Sequence, residues 1–239
     1  MTVMERVKML NEKIGESPLT YFHDCASGNH LPKAGTYSSI EVAPKLVARE
    51  QHYWNHLNLR GDANAEDFFQ AVSGILGISL PLEPGRYNSA VGKDGMIEHR
   101  LYWLGPDEWL LISQQRANQL ENKLRETLKG HVSITDVTGG QTLLNLSGDD
   151  DAIQTVLKKS SVYNFGAWES AGDLGGRCAH TTFGKTSALV SNKKNGSYDL
   201  IIRRSFSDYC ALWLLDAGRE FGICILGPEV IQDKVSTQS

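Results

Sequence analysis

Cysteine is scarce in this chain and follows no paired pattern. The 239 residues hold four, Cys25, Cys178, Cys210 and Cys224, and no two form C-x-x-C. The zinc-ribbon and thioredoxin-type readings therefore lose their main support. A strong charge bias is also missing: the net charge is −4. Lys158-Lys159, Lys193-Lys194 and Arg203-Arg204 are isolated pairs rather than a basic stripe. They read as solvated surface and give no electrostatic footprint for nucleic acid or an anionic membrane. The first thirty residues are mixed and polar, unlike a signal peptide. No stretch reaches the ~20 apolar residues of a membrane span. The expectation is a soluble, cytoplasmic chain with reduced thiols.

What is present is ordinary globular composition, with 41% hydrophobic and 22% charged residues. The length suits one large domain or two small ones. Folding should bury roughly 70–75% of the extended chain's surface without a disulfide or metal staple. Residues 1–50 carry several breakers, among them Pro18, Gly28, Pro32, Gly35 and Pro44, and only weak periodicity. Val3, Val7, Leu10 and Ile14 allow a short helix over 2–14. The segment reads as an arm ordered by lying on this chain's body or on a partner.

From about residue 51 the pattern becomes compact. His52, Trp54, His56 and Asn58 alternate with Tyr53, Asn55, Leu57 and Leu59, as a strand requires. Phe68, Phe69, Val72, Ile75 and Leu76 then mark a helical face that Gly77 stops. Residues 80–88 read as loop. Two apolar runs, 96–104 and 109–113, flank the Gly105-Pro106-Asp107-Glu108 turn. A helix over 115–129 and a strand over 132–137 complete the order strand, helix, strand, strand, helix, strand. That is the ferredoxin-like signature, an α+β arrangement.

The second half begins after Gly139-Gly140. A strand over 142–147 precedes a helix over about 150–158, and a glycine-containing loop leads to strands at 177–183, 186–191 and 198–203. Tyr198, Leu200 and Ile202 face one way; Asp199, Ile201 and Arg203 face the other. A closing helix over 206–221 carries Phe206, Tyr209, Cys210, Trp213, Leu214, Ala217 and Phe221 on one face, with Ser205 and Asp208 at capping-box spacing. The expected organisation is an arm at 1–50, α+β halves at 51–138 and 139–223, and a tail at 224–239.

No set of residues reads as a catalytic, cofactor-binding or metal site. His52 and His56 have helical chelating spacing but lie on an expected strand without an acidic third ligand. Cys178 and His180 suggest a cysteine nucleophile, yet Arg177 faces away from them, so a buried thiol is expected. Gly172, Gly175 and Gly176 do not make G-x-G-x-x-G, and Gly184-Lys185-Thr186 lacks the upstream P-loop glycine, leaving a hairpin turn. Asp149, Asp150 and Asp151 read as caps and dipole partners. Glu98 and Glu108 lack a visible acid–base mate. Trp109 reads as a core anchor.

Six blocks resemble one known family: LNLRGD (57–62), ILGISLP (75–81), YWLGPDEWLL (102–111), ITDVTGGQTLLNLSG (134–148), RCAHT (177–181) and IIRRSFSDYCALWLLDAGREFG (201–222). In that order they are similar to the gamma subunit of heterotetrameric sarcosine oxidase. The resemblance implies a fold like the N-terminal folate-binding part of the glycine-cleavage T-protein. It implies a non-catalytic structural subunit in a complex with alpha, beta and delta chains. FAD, FMN, NAD, tetrahydrofolate and zinc are then expected in the other subunits, with none bound by this chain. The complex would demethylate sarcosine or a related N-methyl amino acid. His180 departs from the family pattern, standing where glutamine is expected. In the arm, Tyr21, Phe22 and Tyr37 are the expected partner anchors. The alternative is a free-standing tetrahydrofolate-dependent aminomethyltransferase or demethylase of the T-protein type, with Glu98 as its carboxylate. A folate-binding relative in iron–sulfur assembly would need a lysine-glycine-cysteine signature, which Gly175–His180 lack.

Overall fold

The computed structural model describes residues 17–20, 22, 44–51, 54–91, 97–170, 172 and 176–228, without the side chains of 97, 98, 169 and 170. The expected helix over 2–14, and Tyr21, Cys25, Tyr37 and His52, lie outside the described residues.

The first half alternates as its sequence does. It runs β2 (Asn55–Arg60), α1 (Glu66–Leu76), β3 (Tyr87–Val91), β4 (Ile97–Gly105), β5 (Glu108–Ser113), α2 (Ala117–Thr127) and β6 (Ser133–Asp136). Leu57, Leu59, Leu101, Trp109, Leu111 and Ile134 stand on one sheet face and meet Phe68, Val72, Leu76, Leu120 and Leu124 from the two helices. This is the period-two and period-3.6 matching that buries one face of each element. Gly77 ends α1 with φ 65, and its N–H reaches the Ser73 carbonyl, as the sequence predicts.

The sheet order is β3-β4-β5-β2-β6, with neighbours antiparallel. Without β3 this is the ferredoxin-like order. Tyr87 and Asn88, expected in a loop, instead open the edge strand β3. All five of its residues are exposed or half-exposed, so it leaves little hydrophobic alternation to read.

The second half contributes β7 (Gln141–Gly148), α3 (Asp150–Ser160), α4 (Gly166–Ser170), β8 (Cys178–Phe183), β9 (Thr186–Asn192), β10 (Tyr198–Arg203) and α5 (Ser207–Ala217). α4 interrupts the expected glycine-containing loop. The sheet order is β11-β1-β7-β10-β9-β8, where β1 is Leu46–Glu50 and β11 is Ile223–Leu226. Both added strands come from stretches assigned at least partly to arm and tail. β1 pairs antiparallel with β7, taking the slot a fourth ferredoxin-like strand would fill, and β11 pairs parallel outside it. Leu46, Ala48 and Ile225 are fully buried there, which is why these short segments are drawn into the sheet.

The arm also reaches this core. Leu19 and Phe22 are buried with Phe165, Trp168, Leu214 and Leu215. Phe22, expected to anchor a partner, is therefore a core residue of its own chain. Ser17 reinforces the placement by donating from its hydroxyl to Glu50 at 2.5 Å.

The closing helix is shorter than expected. A 3₁₀ turn at Arg204–Phe206 precedes α5 and another at Arg219–Phe221 follows it. Phe206 occupies the position before the first helical residue, so the expected Ser205–Asp208 capping box does not form. Asp149 does cap α3, its Oδ1 accepting from the Ala152 N–H at 3.0 Å.

The two sheets stack face to face with helices outside, giving four layers: helix, sheet, sheet, helix. Tyr102, Leu110 and Ile112 of the first sheet meet Leu143, Cys178, Leu189 and Ile201 of the second. A backbone bridge between Arg86 and Arg177 joins them at the edge.

Candidate functional site

The inner faces of the sheets carry polar residues as well as apolar ones. On β4, Arg100 precedes Tyr102 on the inward side; on β10, Asp199 precedes Ile201. Stacking the sheets brings Arg100 and Asp199 into an ion pair whose side chains are 6% and 1% exposed. The Asp199 carboxylate also accepts from Asn145 Nδ2 at 2.7 Å and lies 3.5 Å from Lys193 Nζ. The Arg100 guanidinium sits 4.5 Å from the centre of the Trp54 ring. Two charges taken out of water are tolerated only when paired and hydrogen-bonded to this extent. The Lys193 ammonium is pulled below the ordinary lysine range by burial, and Asp199 opposes that shift.

A second polar group also bridges the two sheets, level with Arg100 and two strands away. His56 is buried on β2, with Nδ1 2.6 Å from Gln141 Oε1 of the facing sheet. Its backbone N–H donates to Thr138 Oγ1 at 2.9 Å, and that hydroxyl donates to Asp136 at 2.6 Å. Burial holds the imidazole below its ordinary 6.5, with the Gln141 hydrogen bond as the smaller opposing effect. The folded state thus keeps His56 neutral where the unfolded chain takes up a proton. The corresponding stability is complete above pH 6.5 and declines as pH falls from 6.5 toward the lowered value. His56→Gln should flatten that part of the profile, as measured by urea unfolding between pH 7 and 5. An unchanged slope would show that His56 does not set it.

Burial pushes the Cys178 thiol up to about 12, and its sulfur contacts the Arg86 carbonyl at 3.2 Å. His180, on the same strand, is exposed. Cys178 is therefore a protonated core thiol at neutral pH, the opposite of an activated nucleophile. Burial likewise raises Tyr87 and Tyr102, keeping both phenols neutral. Glu108 accepts from Asn58 at 2.8 Å and Arg60 at 2.8 Å. Glu98 lies on β4, its side chain outside the described residues. Trp109 is fully buried, as its expected core role requires. Gly184 and Lys185 form the β8–β9 hairpin turn, with Gly184 at φ 60. Among the described residues no three of His, Cys, Asp and Glu converge as metal ligands would.

The Arg100–Asp199 pair is the feature that sequence reasoning missed. Its signal was a charge inside each of two apolar runs, RLYWL and DLII, at inward-facing strand positions. Near the start of α5, Pro18, Gly140, Arg204, Ser205 and Asp208 line a separate cleft of about 570 Å³.

Fold and seam define an α+β protein of two ferredoxin-like halves, packed sheet to sheet, whose inward polar groups bond one another. The chain belongs to the sarcosine oxidase, gamma subunit family, whose model matches residues 60–220. It is 25% identical over 197 residues to the sarcosine oxidase subunit gamma of Corynebacterium sp. (strain U-96), covering 80% of this chain and 88% of that protein. The subunit gamma of Arthrobacter sp. is 27% identical over 198 residues, with the same coverage. A chain of the heterotetrameric sarcosine oxidase from Corynebacterium sp. U-96, solved with pyrrole 2-carboxylate, superposes with a TM-score of 0.69 at 22% identity. That match covers 87% of this chain and 97% of that one. The aminomethyltransferase T of the Bartonella henselae glycine cleavage system aligns with a TM-score of 0.46 at 13% identity, over 77% of this chain and 48% of its own.

Proposed function

We propose that the chain is the gamma-type structural subunit of a heterotetrameric, flavin-dependent oxidase that demethylates sarcosine or a related N-methyl amino acid. The observation that carries this reading is the family match across residues 60–220, which spans both sheets. The chemistry of the described residues supports a structural role. Cys178 is held as a thiol, His56 as a neutral imidazole, and Asp199 is engaged by Arg100, Asn145 and Lys193. Alpha, beta and delta chains are the proposed partners, in the cytoplasm. FAD, FMN, NAD, tetrahydrofolate and zinc are assigned to those partners. A T-protein-type activity would need a folate site in this chain. The described seam is instead occupied by Tyr102, Leu110, Ile112, Leu143 and Ile201, and its buried carboxylate is already committed.

Co-expression of a tagged copy with the other three chains is the test. The tag should retrieve a yellow assembly that consumes oxygen with sarcosine, while the isolated chain stays colourless and gives no calorimetric signal with tetrahydrofolate. Micromolar tetrahydrofolate binding by the isolated chain, lost in Glu98→Gln, would instead favour the free-standing enzyme.

A further inference from the structure

α5 is apolar on more than the side it buries. Cys210, Ala211, Leu214 and Leu215 enter the core, as a helix on a sheet requires. The remaining arc carries Leu212 between Asp208 and Asp216, and at its margin Tyr209 and Trp213 are half-buried against the core. Leu212 is 49% exposed and Phe206, just before the helix, is 42% exposed. A helix with large apolar residues all round belongs in contact on both sides.

The two aromatics are fixed in place. The Tyr209 hydroxyl accepts from the Lys185 N–H at 2.8 Å, and Trp213 Nε1 donates to Ser160 Oγ at 3.0 Å. Their rings stack with centroids 6.3 Å apart. Rigid tyrosine and tryptophan beside an exposed apolar side chain are typical of binding hot spots, because little conformational freedom is lost on contact. Charge narrows the partner. Asp208 and Asp216 stand one turn to either side of Leu212, and Asp216 forms a solvent-exposed pair with Arg219 at 3.2 Å. A partner cation can compete for such a pair.

We infer that the outward face of α5, with Leu212 at its centre, is a docking surface for another subunit of the proposed complex, one presenting an apolar patch flanked by lysine or arginine. This rests on the gamma-subunit reading. The test is Leu212→Arg in the co-expressed complex, with Val162→Arg, at a site 92% exposed in another loop, as control. Leu212→Arg should reduce recovered flavin-containing partners at least tenfold and leave the isolated chain's melting curve unchanged; Val162→Arg should assemble like the parent. Asp208→Lys combined with Asp216→Lys should also weaken assembly. Failure of the unmodified chain to retrieve partners would sink the subunit reading itself. Normal assembly of Leu212→Arg would sink only the docking surface. Two other outcomes also overturn it: a parent dimer that Leu212→Arg converts to monomer, which assigns the face to a second copy, and a marked fall in the isolated chain's melting temperature, which assigns it to this chain's own residues.

Discussion

Asp199→Asn is expected to destabilise the fold by about 3–5 kcal/mol, the cost of leaving a buried charge without its counter-ion. For a chain of this size that is a fall in melting temperature of roughly 6–20 °C. Asparagine keeps the volume and an acceptor oxygen but removes the charge that the buried Arg100 guanidinium faces. The interaction joins β4 to β10, so its loss acts on the stacking of the two sheets rather than on one strand. The reverse change, Arg100→Met, should cost less, because Asp199 retains Asn145 and Lys193 as partners. Joining Arg100→Met to Asp199→Leu should recover much of the loss, since apolar side chains of similar size often replace a buried pair without penalty. Thermal melts and urea unfolding of the three variants measure this. An Asp199→Asn protein within about 1 kcal/mol of the parent would mean that the pair does not hold the sheets together.

Trp109→Ala should cost about 3–5 kcal/mol, as large aromatic truncations in cores do. The indole is fully buried, packs on Phe68 with ring centroids 5.7 Å apart, and donates from Nε1 to the Pro81 carbonyl at 2.9 Å. Removing it opens a cavity between β5 and α1 and leaves that carbonyl without its donor. Trp109→Phe separates the two contributions: it preserves much of the volume and should cost about 1–3 kcal/mol, chiefly for the unpaired acceptor. Urea midpoints for the two variants test the order. Equal losses would show that packing contributes nothing beyond the hydrogen bond.

These two sites differ in how much the sequence disclosed. Trp109 follows a Gly-Pro-Asp-Glu turn and opens the apolar run 109–113, so local pattern alone placed it in the core. α1, α2 and β10 were legible for the same reason, since each repeats apolar residues at the period of its own geometry. β3 was not, because an edge strand with exposed residues on both faces carries no period. β1 and β11 were hidden differently: each is short, and each owes its burial to β7 or to the other, far away in sequence. The same distance explains Phe22, most of whose core cluster lies beyond residue 140.

The seam was half legible. Asp199 and Ile201 could be assigned to one face of β10 from alternation. Nothing local said that a second sheet would lie against that face, or that Arg100, 99 residues earlier, would meet the carboxylate there. Fold class is written in periodicity; which buried charge answers which is written in how the layers stack.

Native mass spectrometry of the purified assembly, with stepwise release of single chains, tests the central claim most directly. The subunit reading predicts one copy of this chain alongside three different ones, released at the mass of the bare polypeptide while flavin stays with the remainder. Release with a flavin or folate attached would contradict it, as would a preparation in which the other three chains assemble and this one is absent.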